Sequence, residues 1–184
     1  MGFLSYILTL AIMPHMKLEA RFTSHDNKLY KLDGSPFEVS SIVTDSSSYL
    51  ADSGNAVKSA PGDCATLLMV TWASIGFDEE SYNESFLAEL RDVLKALEEA
   101  GKYAVILPSA EDEVLSEEQK EAFIAGCKHC ARRIKDASSV IGFAIPKDVN
   151  ADFFIEELSA KHKHYIYFSN DEVLLKEKAS IVRF

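Results

Sequence analysis

An α/β fold, a parallel sheet with alternating helices, is what this sequence predicts, and three observations predict it. From Ala65 onward, short apolar runs alternate with amphipathic helical stretches, the pattern of strand–helix–strand units joined by right-handed crossovers. The run Val140–Ile145 is continuously apolar, as a strand covered on both faces must be, and it stops at Pro146 with Lys147 and Asp148 at its tip. Residues 18–37 differ: apolar and polar positions are broken by turn residues, as in antiparallel strands.

The bulk numbers limit the function. A chain of 184 residues is long enough for one domain with a sizeable core. Its formal net charge of −10 argues against nucleic acid as a partner, and the short KHKH run at 161–164 is no basic stripe. The 3 cysteines do not form a disulfide framework and suit a reducing compartment, which favours the cytoplasm over secretion. Residues 1–17 read as an apolar leader, ahead of a single domain over 18–184. Phe3–Met13 has the composition of a signal-peptide core but lacks a basic n-region and a small-x-small site. It is too short to span a bilayer. A buried helix or an added leader are the other readings.

In chain order, Leu18–Thr23 and Leu29–Leu32 are predicted strands around the turn His25–Lys28, and Asp33-Gly34 is a second turn. Phe37–Thr44 is the first core strand. Residues 45–63, rich in Ser, Asp, Gly and Ala, read as a loop with one weak helix. Ala65–Trp72 is a buried strand. Phe86, Leu90, Val93 or Leu94, and Leu97 share one face of a helix over Phe86–Ala100, which Gly101 ends. Tyr103–Leu107 is a strand stopped by Pro108. Ser116 and Gln119 have the spacing of a capping box. The helix it opens carries Phe123, Cys127, Cys130 and Ile134 as its apolar stripe. Then come strand 140–145, a helix near 151–160, strand Tyr165–Ser169, a helical turn near 171–178, and the strand Ser180–Phe184. About six core strands result.

Cys127 and Cys130 have C-x-x-C spacing but lie mid-helix on the apolar stripe. Core packing is therefore expected in preference to redox or metal chemistry, which wants the pair at a helix N-terminus. His162 and His164 are two residues where zinc usually takes three or four ligands. No metal or cofactor is expected from either. The strand tips are more coherent: Asp45, Trp72, Glu111 and Asp112, Lys147 and Asp148, and Asp171 converge on one rim if the strands are parallel. Carboxylates with one indole suit a sugar. A plain solvated edge and a Mg²⁺ site are the competing readings.

Those residues resemble family 5 glycoside hydrolases of the β-mannanase and cellulase type. RFTSHDNKLYKLDGSPFEV (21–39) looks like that family's N-terminal hairpin, MVTWASIG (69–76) its second strand, and FLAELRDVLKALEEAGKYAVILPSAED its next helix and third strand. ARRIKDASSVIGFAIPKD is similar to the fourth strand and its approach, and FIEELSAKHKHYIYFSND to the fifth. The resemblance implies a partial TIM-type (β/α) barrel. It also implies losses. The family's arginine on the second strand falls on Val70, its Asn-Glu pair on Lys147-Asp148, and the chain stops near the sixth strand, short of the nucleophile's. The reading that follows is a glycoside-hydrolase-like pseudoenzyme that binds carbohydrate or a protein partner at the rim. One alternative is an active hydrolase on β-mannan or β-glucan, with Asp148 as acid/base and Asp171 as the other carboxylate. The other is a structural or interaction protein with no ligand site. A sheet with two bare edges would favour a homo-oligomer.

Overall fold

The computed structural model describes residues 18–111, 114–147 and 149–184; residues 1–17, which the sequence suggests as an apolar leader, and Asp112, Glu113 and Asp148 lie outside the described residues. Among the described residues the strands form one 8-stranded sheet whose order follows the chain. β1 (Phe22–His25) and β2 (Lys28–Lys31) are an antiparallel hairpin. Its two-residue turn puts Asp26 at φ 51° and Asn27 at φ 57°, the left-handed conformation such turns require and Asx residues tolerate. β2 pairs with β3 (Pro36–Asp45) only at its start, Leu29 opposite Phe37. From β3 onward every pairing is parallel: β4 (Cys64–Thr71), β5 (Ala104–Ser109), β6 (Val140–Ala144), β7 (Ile166–Ser169) and β8 (Val182–Arg183).

The sheet curls back on itself. The Asn27 N–H donates to the Ala179 carbonyl at 2.9 Å, and the Arg183 N–H donates to the Asn27 carbonyl at 3.0 Å. The hairpin thus crosses the floor and meets the approach to the last strand, giving a nearly closed, TIM-like barrel within one chain. This differs from the expectation of two bare edges. The β8 side is bonded to the hairpin, and the outer edge of β3 beyond Phe37 carries no strand among the described residues.

Helices alternate with the parallel strands. α1 (Ser46–Ala51) and α2 (Ser53–Ser59) follow β3, where the sequence suggested one weak helix; Asp45 and Asp52 cap them. α3 (Trp72–Ile75) and α4 (Glu84–Glu99) follow β4. α5 (Glu117–Arg133), α6 (Ala151–Ser159) and α7 (Glu172–Glu177) follow β5, β6 and β7. The capping box of Ser116 and Gln119 is formed in both directions. Pro108 does not stop β5: it pairs with Val70, and the strand runs to Ser109.

The core has two compartments, set by the period-2 alternation of the strands. Ala65 and Leu67 of β4 join Phe37, Val105, Ile141 and Phe168 inside the barrel. Leu68 and Val70 point the other way, onto Leu90, Leu94 and Leu97 of α4 and Phe123 of α5. Gly142 is needed where β6 passes β7. A Cβ there would lie 1.7 Å from the Ile166 carbonyl oxygen, so any larger residue would push the two strands apart.

Candidate functional site

Parallel strands bring their carboxyl ends to one rim, and the helices that follow start there with four unpaired N–H groups each. That geometry explains two of the acidic tips. The Asp45 carboxylate accepts from the Ser48 N–H at 3.0 Å as the cap of α1. The Asp171 carboxylate accepts from Val173 N–H at 2.8 Å and Leu174 N–H at 3.3 Å as the cap of α7. Helix N-termini also favour negative charge through the helix dipole, so an acidic rim follows in part from the fold. Glu111 is exposed in a left-handed turn at φ 63°, its N–H donating to Ser109 Oγ at 3.0 Å. Asp112 and Asp148, both expected at this rim, lie outside the described residues.

Of the remaining candidates, Lys147 and Asp171 come together. They line a cleft of about 200 Å³ between the tips of β6 and β7. Ile145, Pro146, Val149 and Leu174 supply apolar wall, and Ser169 and Glu177 add polar groups. Ser169 is buried and its Oγ accepts from the Asp171 N–H at 3.1 Å, which fixes the loop that carries the cap. Sequence reasoning did not single out Ser169 or Glu177. Ser169 was legible as the last residue of a buried strand, whereas Glu177 reaches the cleft only through the placement of α7. Asp45 and Glu111 do not line this cleft.

Trp72 is corrected by the structure. It is the first residue of α3 rather than the end of a strand, and Thr71 caps that helix. Only 5% of Trp72 is exposed. Its ring packs edge-on to Phe77 with centroids 5.0 Å apart and tilted against Phe123 at 5.5 Å. The period-2 alternation that turns Leu68 and Val70 toward the helices turns Trp72 the same way, so its indole offers no open face to a sugar. Val70 is fully buried in that same layer, facing the helices rather than the rim.

Cys127 and Cys130 are free thiols buried in the outer core. Burial pushes both thiols up, Cys130 to about 12, so neither is poised as a thiolate. His162 is buried and His164 partly so, at the opposite end of the barrel from the rim, with the Tyr165 ring tilted against both. Burial, then the neighbouring His164, Lys135 and Lys161, holds His162 down to about 4. Among the described residues no group of three or more His, Cys, Asp or Glu side chains is placed to hold a metal ion, and no helix is long and apolar enough to cross a membrane.

No protein-family profile matches the sequence, and neither does any curated protein. Solved structures do match in fold. A β-mannanase of Thermomonospora fusca in complex with mannotriose superposes with a TM-score of 0.55 at 10% identity, covering 82% of this chain and 54% of that one. The catalytic domain of a mannanase from Streptomyces sp. SirexAA-E gives 0.54 at 12% identity, covering 90% and 56%. A GH5_18 protein from Bifidobacterium longum subsp. infantis gives 0.51 at 11%, covering 79% and 46%. The chain spans about half the length of these structures. The likeness is one of fold: a TIM-like barrel similar to that of these glycoside hydrolases.

Proposed function

We propose that this is a glycoside-hydrolase-like domain that binds carbohydrate at the rim cleft between β6 and β7 and does not cleave it. The observation that carries the reading is the cleft itself. It opens at the carboxyl tips of two adjacent strands, where a βα-barrel presents its site, and it combines Lys147, Asp171, Ser169 and Glu177 with apolar wall. Hydroxyl groups can pair with those polar side chains while ring carbons lie on Pro146 and Val149. The likeness in fold to a β-mannanase solved with mannotriose supports a sugar as the ligand.

Loss of turnover rests on a count of parts. Retaining hydrolysis needs two carboxyl groups about 5–5.5 Å apart, one of them free to attack. The Asp171 carboxylate in this cleft is engaged by two backbone N–H groups of α7. Asp148, at the position the resemblance gives to the acid/base, is one methylene shorter than a glutamate. A setback of about 1 Å can cost on the order of 10²-fold in rate. Lys147 stands where an asparagine is expected, and a cation beside a carboxyl group favours its ionised form, whereas a general acid must start protonated.

The reading is tested by glycan-array binding alongside release of reducing ends from mannan, cellulose and xylan. Binding that weakens in Lys147→Ala, with no reducing ends released, is the expected result. The second reading, an active hydrolase, has in its favour that Asp171 lines the cleft next to Lys147. Turnover that disappears in Asp148→Ala would establish it in place of the first.

A further inference from the structure

A groove on the outer face lies between α5, α6 and the loop entering α4, and shares no residue with the rim cleft. Its volume is about 470 Å³, inside the range of about 300–1,000 Å³ usual for small-ligand pockets. Lys128 of α5 and Glu157 of α6 close an ion pair across it at 2.6 Å. Both helices return from one parallel strand to the next, so they run in the same direction. Arg132 stands four residues after Lys128, and Lys161 four residues after Glu157. The chain is still helical at Ala160, with φ −50° and ψ −33°. Past the ion pair, therefore, each wall carries a cation, Arg132 on α5 and Lys161 just after α6. Both residues line the groove, both are exposed, and among the described residues neither makes an ion pair.

Two of the groove's three acids are engaged elsewhere, and Glu79 alone faces the two cations. Glu157 is held by Lys128. Glu84 is shared between His129 Nε2 and Arg133 Nε, each at 2.8 Å. The ends of α5 and α6 contribute roughly half a negative charge each, less than the two full cations. Facing like charges cost stability unless something of opposite sign sits between them. Tyr82, stacked on His129 with ring centroids 4.0 Å apart, forms the other wall with Glu79, so hydroxyl-pairing groups lie beside the cations.

We propose that this groove binds a small phosphorylated, hydroxyl-bearing molecule of the sugar-phosphate class, with Arg132 and Lys161 clamping the phosphate from opposite walls. A phosphate dianion suits the pair better than a single carboxylate, because it can take the planar fork of arginine and a lysine ammonium at once. The hydroxyls then meet Tyr82 and Glu79.

The test is calorimetric titration of the full chain with glucose 6-phosphate, inorganic phosphate and glucose, with Tm measured for each variant. Glucose 6-phosphate is expected to bind at least about 10-fold more tightly than inorganic phosphate, and glucose not to bind this groove. In Arg132→Gln/Lys161→Gln, glucose 6-phosphate affinity should fall at least about 10-fold, the scale of a lost charge-assisted pair. The Tm of that variant without ligand should hold or rise, because a repulsion has been removed. Binding that survives in the double variant would overturn the proposal, and so would no binding, or equal affinity for glucose 6-phosphate and inorganic phosphate. A fall in the unliganded Tm would also overturn it, since the two cations would then be serving the helix ends. Lys161→Gln alone should give the intermediate affinity.

Discussion

The side-chain amide of Asn27 donates to the Ile181 carbonyl at 2.7 Å, joining the hairpin turn to the residue before the last strand across 154 residues. The same amide donates to the Lys178 carbonyl at 3.0 Å, and the Asn27 backbone makes two further bonds to that segment. One residue in a left-handed turn thereby clasps the two ends of the sheet.

Asn27→Ala should therefore destabilise the domain by about 2–3 kcal/mol. It removes two hydrogen bonds, each worth about 1 kcal/mol, leaves two carbonyls to find water, and puts an alanine at positive φ. Asn27→Gly keeps the turn conformation and should cost less. Urea unfolding of both variants separates the two causes: the loss in Asn27→Gly reports mainly the side-chain bonds and the further loss in Asn27→Ala the positive φ, and no loss in Asn27→Gly would mean that the side-chain bonds contribute nothing.

Trp72 is the protein's 1 tryptophan and is buried under α4 and α5. Its fluorescence should be blue-shifted, poorly quenched by acrylamide and unchanged by sugars. Trp72→Ala should cost about 3–5 kcal/mol through the cavity it leaves. A sugar-dependent change in its emission would place it at the binding surface instead.

His162 gives stability a pH dependence of known sign. Its folded pKa, about 4, lies below the ordinary histidine value of 6.5, so the unfolded chain binds more protons between those values and folding weakens as pH falls. The contribution is fully present above pH 6.5, is lost as pH falls toward about 4, and is constant below that. The loss should be on the order of 3–4 kcal/mol, at about 1.4 kcal/mol per pH unit of depression. His162→Gln should flatten the curve of unfolding free energy over this window. His164, also held down by burial, adds in the same direction.

Cys127 and Cys130 should react with a thiol reagent only as fast as the domain opens, whereas Cys64, partly exposed, should react first. Cys127→Ala should cost on the order of 1 kcal/mol and leave ligand binding intact. Rapid labelling of all three thiols in native buffer would contradict the packing described for α5.

The alternation of apolar runs with helical stripes, the hairpin turn at Asp26-Asn27 and the capping box at Ser116 are local in sequence. They determined the fold class, the order of elements and the buried stripe of α5 without reference to anything distant. The roles of the strand-tip residues were decided elsewhere. Trp72 met the helices because it is in phase with Leu68 and Val70, and it was closed off from the rim by α4 and α5 packing over it, which no local pattern shows. Asp45 and Asp171 became helix caps because the chain turns into a helix at those points, so one oxygen of each meets backbone N–H groups. Closure of the barrel depended on Asn27 meeting Ile181, a contact between residues far apart in the chain that no local pattern encodes. The rim cleft has the same origin: Lys147 and Asp171 share it only because β6 and β7 pair in parallel register, which brings two distant loops side by side.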